Sequence, residues 1–317
     1  MNRASPISEN KQGIDWAEKR WKELLVEQRK FMWLEDTVDK LADWTGLRPG
    51  MTAVDVGCGL GYLGYTYWRY FGEGGFYIGI DSSSENLKDA AEAAKRWAVD
   101  GEACFTTGEA YKLPFTDNVA DSVMCQVLLM HLEKPKLALA EMVRVAKPGG
   151  LIICEEPDNL SSMLVRRYSS APELDVEEEL LSRKVTLIGN EGRIKLGRGD
   201  QSVGAKVPRM MKQLGLYDVE IRQNDQVWFL QPPYEGPVQK HRLEMVKRNV
   251  SDEKRYKFWQ KRGREEFLAG GGDPEEYDRF VELSDRFRPI IRRQIEEGEF
   301  FACSAHHFFV IKGRKPR

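Results

Sequence analysis

Histidine and paired cysteines are scarce in this chain of 317 residues, and long apolar runs are missing from it. The sequence has only 4 histidines, and its 5 cysteines include no C-x-x-C pair, so it matches no zinc-ligand spacing and no metal is predicted. Most of the cysteines lie in apolar or glycine-rich runs, which predicts buried thiols in a reducing compartment. They are Cys58, Cys104, Cys125, Cys154 and Cys303.

Charge and hydropathy exclude further classes of protein. No stretch of about 18 or more uncharged apolar residues occurs, so no membrane span is predicted. Residues 1–14 lack the apolar segment of a secretory signal, and a cytoplasmic protein is therefore expected. With 48 Lys and Arg against 50 Asp and Glu, the net charge is -2, so no overall positive field favours a nucleic acid partner. The sequence does not indicate an oligomeric state.

Strand-like apolar runs alternate with helical patterns in the first half of the chain. The strand-like runs cover residues 51–56, 76–80, 103–106, 122–126 and 151–154, and helical patterns cover about 84–98 and 134–146. Such alternation predicts an α/β fold with a parallel sheet covered on both faces. The length fits two domains or one large α/β domain with insertions.

A glycine-rich turn follows the first of these strands. Gly57, Gly59 and Gly61 stand where the chain leaves the strand and enters a helix, a position where unusual φ values or close ligand approach require residues without Cβ. Gly59-x-Gly61-x-x-Gly64, with Asp81 twenty residues beyond Gly61, also satisfies the dinucleotide fingerprint. The glycines alone therefore leave open NAD and other adenosine cofactors.

Asp55 distinguishes between these cofactors. It lies two residues before Gly57 at the carboxyl end of the strand, where its charge would repel a pyrophosphate and attract an ammonium group. The loop resembles motif I of the class I S-adenosylmethionine-dependent methyltransferases, whose cofactor has no phosphate. Four further segments agree with that family in order and spacing: residues 76–81, Gly108-Glu-Ala-Tyr-Lys-Leu-Pro-Phe115, residues 121–132 and Glu141-Met-Val-Arg-Val-Ala-Lys-Pro-Gly-Gly150.

The resemblance covers roughly residues 54–156, the helix and strand at 203–221 and the last strand, and is closest to the quinone-biosynthesis C-methyltransferases and many small-molecule methyltransferases. It implies a Rossmann-like, seven-stranded sheet with an antiparallel final strand, and the spacing of apolar residues outside the core adds N-terminal helices and a helical cap formed by insertions. The chain then divides into an N-terminal helical segment (1–50), a cofactor-binding core (51–158), an insertion near the active site (159–204), a core continuation (205–231), a helical cap insertion (232–298) and a final core strand with a tail (299–317).

The regions outside the core show weaker patterns. Helical spacing begins at Asp15 in the N-terminal segment, residues 159–184 are polar, and the glycines of residues 189–204 predict a loop. Residues 203–214 indicate a helix that ends at Gly215, residues 217–221 and 227–230 are strand-like, and residues 300–311 indicate one strand that pairs with the main sheet. Residues 238–297 have helical spacing, with Asp273 as a helix N-cap and Pro274 as the first helical residue.

The resemblance assigns cofactor contacts residue by residue. It gives the ribose hydroxyls to Asp81, with Ser82 beside it, and the adenine to Glu109 and the Ala110 backbone. Gln126 is assigned to the methionine end. Since the family usually has aspartate at position 109, the longer acid is expected to reach the adenine amino group.

The same resemblance assigns the glycine-rich loop to the methionine and ribose of the cofactor. The residues that it places there are Asp55, Gly57, Cys58, Gly59 and Gly61. The expected cofactor is therefore S-adenosylmethionine, with S-adenosylhomocysteine as its product.

Methyl transfer from a sulfonium needs little covalent help, because positioning and water exclusion suffice. His131, after the fourth strand, is a candidate base for an acceptor hydroxyl, or alternatively a residue that fixes its loop by hydrogen bonds. Glu155, at the end of the fifth strand, is a second candidate to accept a proton. Glu156 and Asp158 are predicted to serve as surface carboxylates or helix caps if they do not act on the substrate.

The expected function is methyl transfer to a small-molecule O, N or C acceptor by in-line displacement. The alternatives are a protein or RNA acceptor, a cofactor-binding regulator without turnover, and an NAD-dependent oxidoreductase. The insertions are expected to enclose the acceptor pocket. Trp228, Tyr234 and Trp259 would then lie beneath the cap, or would form only the core of the cap itself.

Overall fold

The computed structural model describes residues 35–164, 168–224 and 227–317, together with Glu18, Lys22, Val26 and Trp33. The N-terminal helical pattern that begins at Asp15 therefore lies largely outside the described residues. Of that segment, Lys22 forms ion pairs with Glu85 and Asp89, and the ring of Trp33 packs edge-on against Phe308 at 5.5 Å.

The main sheet has seven strands, as predicted, in the order β3-β2-β1-β4-β5-β10-β7. They are β1 Thr52–Val56, β2 Phe76–Asp81, β3 Glu102–Thr107, β4 Ala120–Gln126, β5 Ala146–Pro157, β7 Tyr217–Gln223 and β10 Phe308–Arg314, and the three remaining strands are β6 Tyr168–Ser169, β8 Val227–Leu230 and β9 Ala302–Ala305. The first five strands pair in parallel, whereas β10 is antiparallel to both of its neighbours. This confirms the antiparallel final strand.

Helices cover both faces of the sheet. Within the described residues they are α1 Glu35–Thr45, α2 Tyr62–Phe71, α3 Ser84–Ala94, α4 Pro135–Val145, α5 Asn159–Leu164, α6 Val176–Lys195, α7 Val207–Gln213, α8 Gly236–Ser251, α9 Glu253–Gly270 and α10 Pro274–Glu296. Side chains alternate across the strands, so Val123 faces the apolar cluster formed with α4 and α7, whereas Met124 faces the cluster formed with α1 and α2. Because the first five strands are parallel, their carboxyl ends meet at one edge of the sheet, next to this apolar core.

The loop predicted for residues 189–204 was wrong over its first part, where α6 continues to Lys195. Asp175 and Glu178 form a capping box that starts this helix. Gly192 allows α6 to approach α9 so closely that a Cβ would overlap the carbonyl oxygen of Glu266. Packing against α9 thus outweighs the low helix propensity of the two internal glycines.

A separate antiparallel sheet, in the order β6-β9-β8, corrects two further predictions. Residues 227–230 were assigned to the core continuation, but β8 pairs only with β9 in the described residues. Residues 300–311 were expected to form one strand, but β9 ends at Ala305 and β10 begins at Phe308. The two histidines between them separate a strand of the small sheet from one of the main sheet.

Residues 232–298 contain α8, α9 and α10, as the helical spacing predicted, and we call these three helices the helical cap. Asp273 caps α10 through the amide of Glu275, and Pro274 is its first residue, which confirms both assignments. Tyr234 is buried in an apolar cluster against which Trp228 packs, whereas Trp259 is 38% exposed. Trp228 and Tyr234 thus belong to the core of this region.

The cysteines are less uniform than predicted. Cys58, Cys125 and Cys154 are buried, but Cys303 is only partly buried and Cys104 is exposed. Cys104 lies in β3, which forms an edge of the main sheet and therefore has fewer neighbours. Among the helices that the structure describes, none combines the length and the apolar character needed to span a membrane.

Candidate functional site

The glycine-rich loop joins β1 to α2 at the carboxyl edge of the main sheet. Gly57, Gly59 and Gly61 have φ values of 71°, 53° and 76°, a left-handed region that side chains with a Cβ rarely adopt. A Cβ at Gly57 would lie 2.7 Å from the side chain of Leu128, whereas the space beside Gly59 is open within 4 Å. The backbone is therefore held in place at Gly57 and accessible to a ligand at Gly59.

Asp81 ends β2 directly beside this loop. The amide of Gly59 donates to one of its carboxylate oxygens at 2.9 Å, and the amide of Ser83 donates to the other at 2.9 Å. Burial raises the pKa of Asp81, while hydrogen bonds from Ser83, Gly59 and Ser82 oppose this shift. Ser82 itself is exposed. The structure thus brings Asp81 and the loop together, as predicted.

Asp55 lies beneath the loop, where it is 1% exposed. The Tyr77 hydroxyl donates a hydrogen bond to its carboxylate at 2.6 Å. Burial and the charges of Asp55 and Asp81 raise the pKa of the Cys58 thiol well above its ordinary value, so this cysteine is neutral. The contact of Tyr77 could not be predicted from the sequence, because strand alternation does not reveal which buried hydroxyl meets a carboxylate on the neighbouring strand.

Glu109 and Ala110 follow β3 on the other side of Asp81. The amide of Gly108 donates to the backbone carbonyl of Asp81 at 3.1 Å, which ties this loop to the end of β2. Glu109 is exposed, and Ala110 packs against the apolar core. Both predicted adenine residues therefore lie at the same edge as the predicted ribose residue.

Gln126 ends β4 and is 5% exposed. Its side-chain amide donates to Glu155 at 2.6 Å, and the Tyr67 hydroxyl donates to the other oxygen of Glu155 at 2.6 Å. Glu155 has no exposed surface. These contacts hold the side chain of Gln126 against Glu155, and proton acceptance by Glu155 stays a prediction.

His131 lies in a short 3-10 turn, Leu129–His131, that follows β4, and it is half-buried. Glu156 is fully buried and accepts hydrogen bonds from the amides of Leu128, Leu129 and Met130 at 2.9, 2.7 and 3.3 Å. Of the predicted alternatives, Glu156 is thus a cap and not a surface carboxylate.

The first insertion contacts this same loop. Asp158 caps α5 through the amide of Ser161 and accepts a hydrogen bond from the hydroxyl of Ser202. Gly199, with φ 84°, lies so close to residues 127–131, the β4 loop, that a Cβ would overlap the carbonyl oxygen of Met130. Residues from both ends of the insertion therefore lie beside the carboxyl edge of the sheet.

The arrangement combines negative charge, accessible backbone and an apolar floor. The carboxylates of Asp55 and Asp81 both lie next to the loop, and their negative charge suits a cationic sulfonium or ammonium better than a pyrophosphate. The residues present therefore fit an adenosine cofactor of that kind. Within the described ranges, no group of three or more His, Cys, Asp or Glu side chains is placed to hold a metal ion.

Comparison with known proteins agrees with this geometry. Residues 47–195 match the family described as a methyltransferase domain. An uncharacterized methyltransferase of Schizosaccharomyces pombe is 40% identical over 114 residues, which cover 34% of this chain and 41% of that protein. A demethylmenaquinone methyltransferase of Shouchella clausii is 34% identical over 132 residues, 41% of this chain and 53% of that protein.

A third relative is a ubiquinone/menaquinone biosynthesis C-methyltransferase of Citrobacter koseri, which is 32% identical over 140 residues, 44% of this chain and 54% of that protein. The chain thus matches about half the length, or less, of these relatives. A solved structure of a candidate methyltransferase from Bacillus halodurans has a TM-score of 0.50 at 17% identity and covers 89% of this chain and 100% of that one. The structural likeness shows a shared fold.

Proposed function

We propose that the protein is a class I S-adenosylmethionine-dependent methyltransferase that transfers a methyl group to a small-molecule O, N or C acceptor. The match of residues 47–195 to a methyltransferase domain and the methyltransferase relatives support this. One observation carries the proposal: the open backbone at Gly59 lies directly against the partly buried carboxylate of Asp81. A carboxylate in this position would accept hydrogen bonds from the two ribose hydroxyls, and the charge of Asp55 near the end of β1 disfavours a pyrophosphate.

The chemistry requires positioning more than covalent help. When bound, S-adenosylmethionine would supply a methyl group activated by its sulfonium: the acceptor would form a bond to the methyl carbon in line, the S–CH3 bond would break, and the neutral thioether S-adenosylhomocysteine would leave. In this proposal, Asp81 and the loop hold the ribose, while Glu155 orients Gln126 toward the methionine end. His131 is the candidate to remove a proton when the acceptor is a hydroxyl, because it follows β4 at the same edge.

A small acceptor is favoured by the position of the first insertion. Gly199 and Ser202 bring it against the β4 loop and Asp158, so one side of the acceptor region is walled by the chain itself. The names of two relatives specify quinone-type acceptors, which makes a demethylmenaquinol analogue with a short tail the first acceptor to assay. Methylation of a protein or an RNA by the same chain, with none of small molecules, would refute this part of the proposal.

Calorimetry tests the cofactor assignment. We expect the protein to bind S-adenosylhomocysteine and not NAD. Asp81→Ala should weaken S-adenosylhomocysteine binding by about 1 to 3 kcal/mol, because it removes the acceptor of the ribose hydroxyls. Asp100→Ala is the matched control, since Asp100 is exposed and precedes β3 at the opposite edge of the sheet. Binding of NAD alone, or equal affinities in the two folded variants, would refute the assignment.

A further inference from the structure

The β4 loop, which we define as residues 127–131, is held from below by one buried carboxylate. Oxygen Oε1 of Glu156 accepts hydrogen bonds from the amides of Leu128 and Leu129, and Oε2 accepts one from Met130. Glu156 belongs to β5, and none of its surface is exposed. Three consecutive amides thus converge on a single side chain from a different element of the fold. Such charge-assisted hydrogen bonds are the stronger kind.

The loop also contains an unfavourable backbone conformation. Val127 has a φ of 52°, a left-handed value that β-branched residues rarely adopt. Its amide donates to the carbonyl of Glu155 at 2.8 Å. The conformation therefore depends on bonds from β5 that hold it in place, namely the Glu155 carbonyl before the turn and the Glu156 carboxylate within it.

Both ends of the β4 loop adjoin the candidate site. At one end, Gln126 precedes the loop, and the side chain of Leu128 occupies the space beside Gly57. At the other end lies His131. A shift of the Glu156 carboxylate would therefore move the groups assigned to the methionine end of the cofactor together with the candidate base.

We propose that Glu156 is a positioning residue for methyl transfer, which acts by fixing the β4 loop against the glycine-rich loop. The inference rests on the proposed function for its consequence, but not for its geometry. A purely structural alternative assigns Glu156 only to the stability of the sheet. The two differ in whether ligand affinity changes in a variant that remains folded.

Asp121 offers a matched control at the opposite end of β4. Its carboxylate accepts a hydrogen bond from the amide of Thr52 at 3.0 Å and pairs with Lys147 at 2.7 Å. It thus joins β4 to a neighbouring strand and to β5, as Glu156 does, but far from the carboxyl edge. Asp121→Asn should lower stability without moving the β4 loop.

The experiment compares Glu156→Gln with Asp121→Asn in the full chain. Glutamine keeps the shape but presents an amide donor to one of the three backbone amides, so we expect about tenfold weaker S-adenosylhomocysteine binding by calorimetry. Hydrogen exchange of the peptide covering residues 127–132 should accelerate in Glu156→Gln alone. Adding Val127→Gly should restore part of the affinity, because glycine adopts the left-handed φ without strain. Should Glu156→Gln fail to fold, Glu156→Asp replaces it in the same comparison.

Unchanged affinity and unchanged exchange in folded Glu156→Gln would overturn the proposal. Equal losses of affinity in both variants would do so as well, because they would show a general effect of stability. If the wild-type protein binds no S-adenosylhomocysteine, the proposed function fails. The exchange of residues 127–132 then still decides whether Glu156 holds the loop.

Discussion

The main sheet and the helical cap are stabilised by different interactions. The sheet packs two continuous apolar clusters, and its buried carboxylates at the carboxyl edge, such as Asp55 and Glu156, accept hydrogen bonds from hydroxyls or backbone amides. Where α9 of the cap packs against α6, buried ion pairs lie beside a small apolar cluster that contains Val185 and Phe267. Glu266 Oε1 lies 3.0 Å from Arg262 Nε, 3.4 Å from Arg198 and 3.7 Å from Arg193.

Because of this difference, we expect the sheet and the cap to respond differently to substitutions. Apolar packing is non-directional and tolerates small shifts, whereas buried ions lose much of their stabilisation when one partner is removed. Burial lowers the pKa of Arg193 to about 10 despite the attraction of Glu266, which shows the cost of desolvating this guanidinium. We therefore expect the cap to open before the sheet does.

Removing Glu266 should have the largest effect. Glu266→Ala takes away the oxygen that three guanidinium groups approach, and should destabilise the contact between α6 and α9 by about 3 kcal/mol. Hydrogen exchange would locate the loss in these two helices and leave β1 and β4 protected. Glu265→Gln is the control, because Glu265 is 45% exposed and its pair with Arg198 should contribute less than about 1 kcal/mol. Simultaneous loss of protection in the sheet would contradict separate stabilities.

A pair of glycines in α6 sharpens the comparison. Gly192→Ala should cost about 1 to 3 kcal/mol, because the new Cβ would overlap the backbone of α9. Gly189→Ala meets open space in the same helix and should stabilise it by about 0.5 to 1 kcal/mol. Thermal unfolding of the two variants measures both signs. A stabilised Gly192→Ala would mean that α6 and α9 are not packed this closely.

The smallest effect is a pH dependence of ligand binding, which arises from Asp81 at the end of β2 in the main sheet. Burial raises the pKa of Asp81, and its protonated form offers the two ribose hydroxyls one acceptor oxygen fewer than its ionised form. Affinity for S-adenosylhomocysteine should therefore be complete at neutral pH and fall on acidification, beginning at a higher pH than for an ordinary aspartate. The free energy of unfolding changes in the opposite direction. Protonation of Asp81 below its raised pKa removes the cost of burying the charge, and so stabilises the folded protein. If Asp81→Asn loses affinity for S-adenosylhomocysteine over the same acidic pH range as the wild-type protein, a group other than Asp81 causes the loss.

Local chemistry explains which features the sequence could predict. Gly57 and its neighbouring glycines need left-handed φ values, a requirement of the turn itself, and the strand alternation follows from side-chain direction along the chain. The course of α6 could not be predicted, because Gly192 is favoured there only by the backbone of α9, which is distant in sequence.

The roles of the candidate site residues stay predictions, whereas the contacts of these residues in the folded sheet could not be predicted. The two acids at the end of β5 indicate a functional edge, but successive side chains of a strand point to opposite faces. Glu155 therefore contacts Tyr67 and Gln126, whereas Glu156 contacts the β4 loop. Which donors meet each carboxylate depends on the register of β4 against β5, where Gln126 stands opposite Glu155. That register is a property of the folded sheet.

The order in which the chain is synthesised gives the position of β9 and β10 a further meaning. β9 lies between β6 and β8 in the small sheet, and β10 lies between β5 and β7 in the main sheet. Both of these strands follow all of their partners in the sequence. On the ribosome, β1 to β5 can pair as they emerge, but β6, β7 and β8 must wait for residues 302–314. β9 and β10 can therefore complete the small sheet and the main sheet only after the helical cap has been synthesised.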